Sequence, residues 1–174
     1  MNRLAIVTGA SSGIGAASAR QLADAGWDVI AAARRTDRLH DLANSNPRIT
    51  AVELDVTSDT SVDALVERLA GRAVHLLVAN AGGAFDAKAV TEADLESWRK
   101  TYDVNVIGTV RTVRALIENL RASGDGHIVV TGSTAGFTVY ETGGSYTAAK
   151  HAEHAFAGTL RLELAGEPIR VSVI

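Results

Sequence analysis

A doubly wound α/β domain, with a parallel sheet covered by helices on both faces in three layers, is the fold this sequence predicts. Three observations predict it. Short apolar runs rich in β-branched residues alternate with helix-patterned segments along the chain. The first of those runs passes into a glycine-rich turn and directly into a helical pattern. The 174 residues, 47% hydrophobic and 21% charged, suit a single core. A chain of this size buries roughly 70% of its unfolded surface, so neither disulfides nor metals are needed to hold it together.

Leu4–Val7 opens the sheet: the apolar run behind Met1-Asn2-Arg3 stops at Thr8 and turns to Gly and Ser, so it reads as a strand rather than a signal peptide. Gly15–Ala25 follows as a helix, Val29–Ala33 as a strand and Asp37–Ala43 as a second helix. Ile49–Leu54, Ser58–Ala70 and Val74–Ala79 continue the alternation. Thr91–Leu120 has the spacing of one long helix, Ile128–Val130 of a fifth strand, Ser145–Leu164 of a last helix and Arg170–Ile174 of a sixth strand. Each strand is expected to be buried on both faces, as parallel strands are. Pro47 and Pro168 are the only prolines, and no linker, repeat or low-complexity tract divides the chain, so residues 1–174 read as one domain. The last strand ends at Val171-Ser172-Val173-Ile174 with an apolar edge exposed, which leads to the expectation of a domain lacking its final edge strand.

Composition excludes several function classes. Cysteine is absent, which removes disulfide scaffolds, Cys-based zinc sites and thiol nucleophiles and leaves the redox compartment open. With 17 basic and 20 acidic residues the net charge is −3, and no Lys/Arg run is long enough to follow a phosphate backbone, so no nucleic-acid partner is expected. No apolar stretch approaches ~18 residues, so no membrane span is expected and the cytoplasm is the default location. His151 and His154 are three apart on a predicted helix, but no carboxylate or third histidine is patterned with them, so no metal site is expected.

In Thr8-Gly9-Ala10-Ser11-Ser12-Gly13-Ile14-Gly15, the glycines permit a tight turn, let backbone N–H groups approach an anion, and bring a helix N-terminus toward it. The loop suits a pyrophosphate, although an ordinary strand-to-helix turn would look the same. At the end of the second strand, where an acidic side chain would bind the adenine ribose of NAD, stand Arg34 and Arg35. A guanidinium grips a 2′-phosphate through paired hydrogen bonds, so NADP is favoured and NAD remains possible; solvated helix-entry charges are the alternative.

Tyr146 and Lys150 are four residues apart in a helical segment and so share a face. Moving a phenol from ~10 to ~7 requires about 4 kcal/mol, an amount that one ammonium ~4 Å away supplies at an effective dielectric near 20. Neither Tyr102 nor Tyr140 has a lysine so placed. Ser133 follows the fifth strand at the carboxyl edge, where open α/β sheets bind ligands, and its hydroxyl can polarise a carbonyl. A hydrolase elbow would need Gly where Thr131 stands.

The glycine turn, Asn80-Ala81-Gly82, Asn105, Ser133 and Tyr146-x-x-x-Lys150 together resemble, in order and spacing over nearly the whole chain, the short-chain dehydrogenase/reductase family and its Rossmann fold. The resemblance implies hydride transfer between NADP and a small or medium carbonyl or alcohol. Tyr146 would be the general acid/base, Lys150 its cationic neighbour and the holder of the nicotinamide ribose, and Ser133 the group that polarises the substrate. Asn105 would bend its helix and hold a water that relays protons. Gly9, Ser11, Ser12, Gly13, Ile14, Gly15, Asn80, Ala81 and Gly82 would line the cofactor, with Asp55 and Val56 at the adenine. Capping by Asp55 of the helix that follows is an open alternative. The family also implies a homotetramer or homodimer, through helices on which Val106, Val110, Val113, Leu116, Phe156 and Leu160 are candidates, with core burial the alternative. It further implies a substrate lid beyond the sixth strand, expected either to be cut off or to lie in a tail past Ile174, with substrate choice divided between that lid and loops near Phe85, Phe137 and Tyr140. A nucleotide-binding module without turnover is the competing reading; an epimerase or dehydratase using the same pair is weaker.

Overall fold

β1 (Leu4–Thr8) is apolar at every position but its last, and it alternates faces: Leu4 and Ile6 join one buried cluster, Ala5 and Val7 the other. A strand with two faces to bury belongs at the centre of a sheet, and β1 lies there. The computed structural model describes residues 3–174, so the first two positions of the leader-like start lie outside it. After β1 come α1 (Gly13–Asp24), β2 (Asp28–Ala33), α2 (Thr36–Ser45), β3 (Ile49–Glu53), α3 (Asp59–Leu69) and β4 (Leu76–Ala79). The second half holds α4 (Leu95–Tyr102), α5 (Gly108–Arg121), β5 (Gly126–Val130), α6 (Gly144–Glu163) and β6 (Ile169–Val173). The strands form one parallel sheet in the order β3-β2-β1-β4-β5-β6.

The order reverses direction between β1 and β4, so the connections leaving these strands part there and open a crevice at their carboxyl ends. α1 and α2 pack on β1, β2 and β3 through Ala19, Ala23, Leu39 and Leu42. The other face carries α3, α5 and α6 through Val62, Leu65, Leu116, Leu120 and Leu160. No helix is long and apolar enough to cross a membrane, among the described residues.

Two expectations are corrected. β3, β5 and β6 are not buried on both faces: Thr50 and Arg170 are exposed and His127, Val129 and Ser172 half-buried, because β3 and β6 are edge strands and α1 and α2 pack on the β1–β3 half of the sheet. The long helix predicted over 91–120 is broken. Asp94 caps α4 by accepting from the Glu96 N–H, and a π turn over Asp103–Ile107 separates α4 from α5. The cause of that turn is Asn105, whose Nδ2 donates to the Thr101 carbonyl at 2.6 Å and so takes the acceptor its own backbone N–H would use in an α-helix. Of the six assembly candidates, Val106, Val113, Leu116 and Leu160 follow the core-burial alternative, while Val110 and Phe156 retain partial exposure.

Candidate functional site

The crevice between β1 and β4 is floored by the glycine turn. Gly9 takes φ +66°, and a Cβ there would stand 2.9 Å from both Ala81 Cα and Asn80 Nδ2, so the turn lies directly against the chain leaving β4. Asn80 holds that contact: its Nδ2 donates to the Thr8 carbonyl at 3.0 Å, while the Asn80 and Ala81 N–H groups both donate to Thr8 Oγ1. Gly13, at φ +55°, has nothing within 4 Å of where a side chain would be, so its open face lies at the start of α1. No side chain caps α1, because Ser12 makes no such bond, and its first N–H groups are therefore left for an anion.

Ser12 and Ser11 serve another partner. Arg35, entering α2 from β2, donates from Nε to Ser11 Oγ at 3.0 Å and from Nη2 to Ser12 Oγ at 2.6 Å, which places its guanidinium over the turn. A cleft of about 300 Å³ is lined by Gly9, Ser11, Ser12 and Ile14 from the turn, by Arg34 and Arg35, by Asp55 and Val56, and by Asn80, Ala81 and Gly82. Eleven of the residues expected at the cofactor thus share one cavity. Gly15 does not line it; it packs underneath, where a Cβ would meet Asn80 Nδ2 at 2.5 Å and the Gly9 carbonyl at 2.6 Å. Burial works against the charge on Asp55, but the Thr57 N–H and hydroxyl, with Arg34 and Arg111 nearby, hold its carboxyl below the usual carboxylate range. The helix α3 is capped by Ser58, which accepts from the Ser61 N–H, so Asp55 stays at the cleft and caps only its own turn.

The second group of residues comes from α6, the π turn and the end of β5. Lys150 is buried, with Nζ donating to the Thr131 carbonyl at 2.9 Å and lying 5.7 Å from the centre of the Tyr146 ring. The Tyr146 hydroxyl makes no hydrogen bond among the described residues. Gly82 joins this group to the cleft: a Cβ there would fall 2.5 Å from Asn105 Oδ1 and 3.8 Å from Lys150 Nζ. Both Nδ2 hydrogens of Asn105 are committed, one to Thr101 and one to the Gly83 carbonyl at 2.8 Å, and Oδ1 accepts from the Gly83 N–H. Ser133 Oγ accepts from the Ala135 N–H at 3.1 Å and keeps its own O–H to donate, while the turn it caps, Thr134–Gly136, packs on α6.

Glu153 is the participant that sequence reasoning missed. Its carboxylate is 2.6 Å from Lys150 Nζ, with both side chains almost fully buried. The signal was its place three residues beyond Lys150, one helical turn on the same face. His151 is tied to the Thr147 carbonyl and His154 meets Phe137 at a tilt of 55° with ring centres 4.0 Å apart; no group of three His, Cys, Asp or Glu could hold a metal among the described residues.

Comparison with known proteins agrees with this geometry. The family model for short chain dehydrogenases matches residues 3–174. An uncharacterized oxidoreductase of Mycobacterium tuberculosis is 52% identical over 172 residues, covering 99% of this chain and 67% of that protein. Among solved structures, serine dehydrogenase in its closed form complexed with NADP+ superposes with a TM-score of 0.92 at 32% identity, over 98% of this chain and 70% of that one. A short chain dehydrogenase/reductase from Burkholderia phymatum in complex with NAD gives a TM-score of 0.93 at 30% identity, over 99% of this chain and 64% of that one. The chain therefore spans about two thirds of the length of these relatives.

Proposed function

The chain belongs to the short-chain dehydrogenase/reductase family, and from that membership we propose that it transfers hydride between NADP and a small or medium carbonyl or alcohol substrate. The observation that carries the proposal is the meeting, at Gly82, of the cleft lined by the glycine turn with the Lys150 ammonium beside Tyr146.

The residues present fit a phosphorylated dinucleotide. The open face of Gly13 and the uncapped start of α1 favour a pyrophosphate, and the adenine end falls to Asp55 and Val56. Arg35 favours NADP over NAD: held over Ser12, it brings to the turn a positive charge that the turn itself lacks. When bound, the nicotinamide supplies or takes up the hydride.

The chain's own part is proton handling and orientation. In reduction, Tyr146 Oη gives its proton to the carbonyl oxygen, and Ser133 donates its free O–H to the same oxygen. The phenolate left behind is stabilised by Lys150, whose Nζ lies 5.7 Å from the ring centre; a unit charge at a distance of that order contributes about 3 kcal/mol at an effective dielectric near 20. Asn105, by clamping Gly83 to the π turn, keeps Gly82 against Lys150 and Val104 against the adenine side of the cleft.

The test is oxidation of NADPH against a panel of aldehydes and ketones. Tyr146→Phe is expected to lower turnover by about 10²–10⁴-fold while NADPH binding is retained. A panel without a single substrate, or a Tyr146→Phe variant as active as the parent, overturns the reading.

A further inference from the structure

Lys150 and Glu153 form an ion pair inside α6 with side-chain exposures of 6% and 2%. An ammonium has three N–H donors. One goes to the Thr131 carbonyl, and the Glu153 carboxylate stands 2.6 Å from the nitrogen as a charge partner outside hydrogen-bond alignment, so one directed bond and one ion-pair contact hold the head. Thr131 alone would anchor the head; what Glu153 adds is a charge. Burying a carboxylate carries a desolvation penalty, which pushes Glu153 above the usual carboxylate range while Lys150 pulls it back.

No other carboxylate competes for Lys150 among the described residues. The 134–136 turn packed on α6 has no titratable side chain, and on α4 Glu96, Arg99, Lys100 and Tyr102 are exposed. In the π turn Asp103 is turned to Arg111 at 4.0 Å, and on β6 Arg170 is paired with Asp125. On α6 itself, His151 bonds to Thr147, and His154 is held below the usual histidine range by burial and by the His151 and Lys150 charges. Farther along, Arg161 bonds to the Val171 carbonyl and Glu163 is exposed.

We propose that Glu153 is a positioning residue acting through Lys150: it fixes the ammonium between Thr131 and Tyr146, and its countercharge opposes the ammonium's pull on the phenolic proton. The consequence is a Tyr146 that stays protonated over a wider pH range, the state required to deliver a proton during carbonyl reduction. This deepens the oxidoreductase reading and rests on it for its purpose, while the coupling itself is a property of the chain alone.

The experiment is a spectrophotometric titration of tyrosinate absorbance in the whole chain, with Glu153→Gln compared to the parent. The same pair in a Tyr146→Phe background separates Tyr146 from Tyr102 and Tyr140. Glu153 lies 2.6 Å beyond an ammonium that is itself 5.7 Å from the Tyr146 ring centre; removing a unit charge at a separation of that order, at an effective dielectric near 20, moves a titration by about one pH unit, so the Tyr146 step is expected at lower pH by that amount in Glu153→Gln. Glu153→Met, of similar length and without charge, is expected to show the same displacement and serves if the glutamine variant fails to fold. A Tyr146 step that coincides with the parent's in whichever of these variants folds overturns the proposal, and so does failure of both to fold. The acid limb of kcat/KM for alcohol oxidation should move with the absorbance step. Absence of any turnover with the absorbance displacement intact would refute the oxidoreductase reading and leave the Glu153 coupling standing.

Discussion

Replacing Gly15 with alanine sets two physical effects of opposite sign against each other. Gly15 lies inside α1, where alanine in place of glycine stabilises a helix by about 1 kcal/mol. Its Cβ, however, would stand 2.5 Å from Asn80 Nδ2 and 2.6 Å from the Gly9 carbonyl. Neither neighbour retreats readily. Asn80 Nδ2 is bonded to the Thr8 carbonyl, and the Gly9 backbone lies so close to the chain leaving β4 that a Cβ on it would stand 2.9 Å from Ala81 Cα. Overpacking against backbone of this kind falls at the upper part of the 1–3 kcal/mol range, about 3 kcal/mol, leaving a net loss of about 2 kcal/mol. For a domain of this size that is a fall in Tm of about 6 °C, read by calorimetry or a circular-dichroism melt. Gly13→Ala is the comparison: its φ of +55° is unfavourable for a side chain, but nothing lies within 4 Å. Backbone strain alone, about 1 kcal/mol, should lower its Tm by about 3 °C. If Gly15→Ala melts at or above the parent temperature, the crowding under the turn is not what the geometry implies.

Arg35→Ala removes charge-assisted bonds of about 1.5–3 kcal/mol to a 2′-phosphate, so the Kd for NADPH should rise roughly 10–150-fold while that for NADH changes less than about two-fold. Fluorescence titration of both nucleotides measures this, and equal losses for the two would show that Arg35 meets no phosphate. Asp55 binds its proton less readily in the folded chain than in the unfolded one, so its contribution is fully present above the unfolded value near ~4 and is lost as pH falls through the lower folded value. Melting temperatures followed from about pH 6 to pH 2.5 should therefore drop more steeply for the parent than for Asp55→Asn, and parallel curves would contradict the assignment.

Much of this molecule was legible before its structure, for identifiable reasons. Six strands fell where apolar β-branched runs stood, because a parallel sheet leaves little choice but to bury them. The cleft was legible because Gly9, Asn80 and Asp55 follow three different strands that end on one side of the sheet. Hydrophobic spacing carried the long helix straight through 91–120, and only the resemblance marked Asn105 as a bend; the bond by which it acts, to the Thr101 carbonyl, leaves no trace in apolar periodicity. Edge exposure at β3 and β6 depends on strand order, which no local window contains. Arg35 and Ser12 lie 23 residues apart on different elements, so their 2.6 Å contact, which sets the guanidinium over the glycine turn, is recorded in no local window of the sequence. Glu153 escaped notice because a carboxylate on a helix normally faces water, and its burial follows from the packing of α6 on the sheet.

The placing of β1 has a consequence for synthesis. It leaves the ribosome before both strands that flank it, and β2 can cover one of its edges soon afterwards. The other edge must wait for β4: the Thr8 hydroxyl meets the Asn80 N–H 72 residues downstream. During that interval the nascent chain carries an open, apolar hydrogen-bonding rim, the kind of surface that invites chaperones or a neighbouring polypeptide. Translation speed through α2, β3 and α3 would therefore govern how long the centre of the sheet stays unguarded.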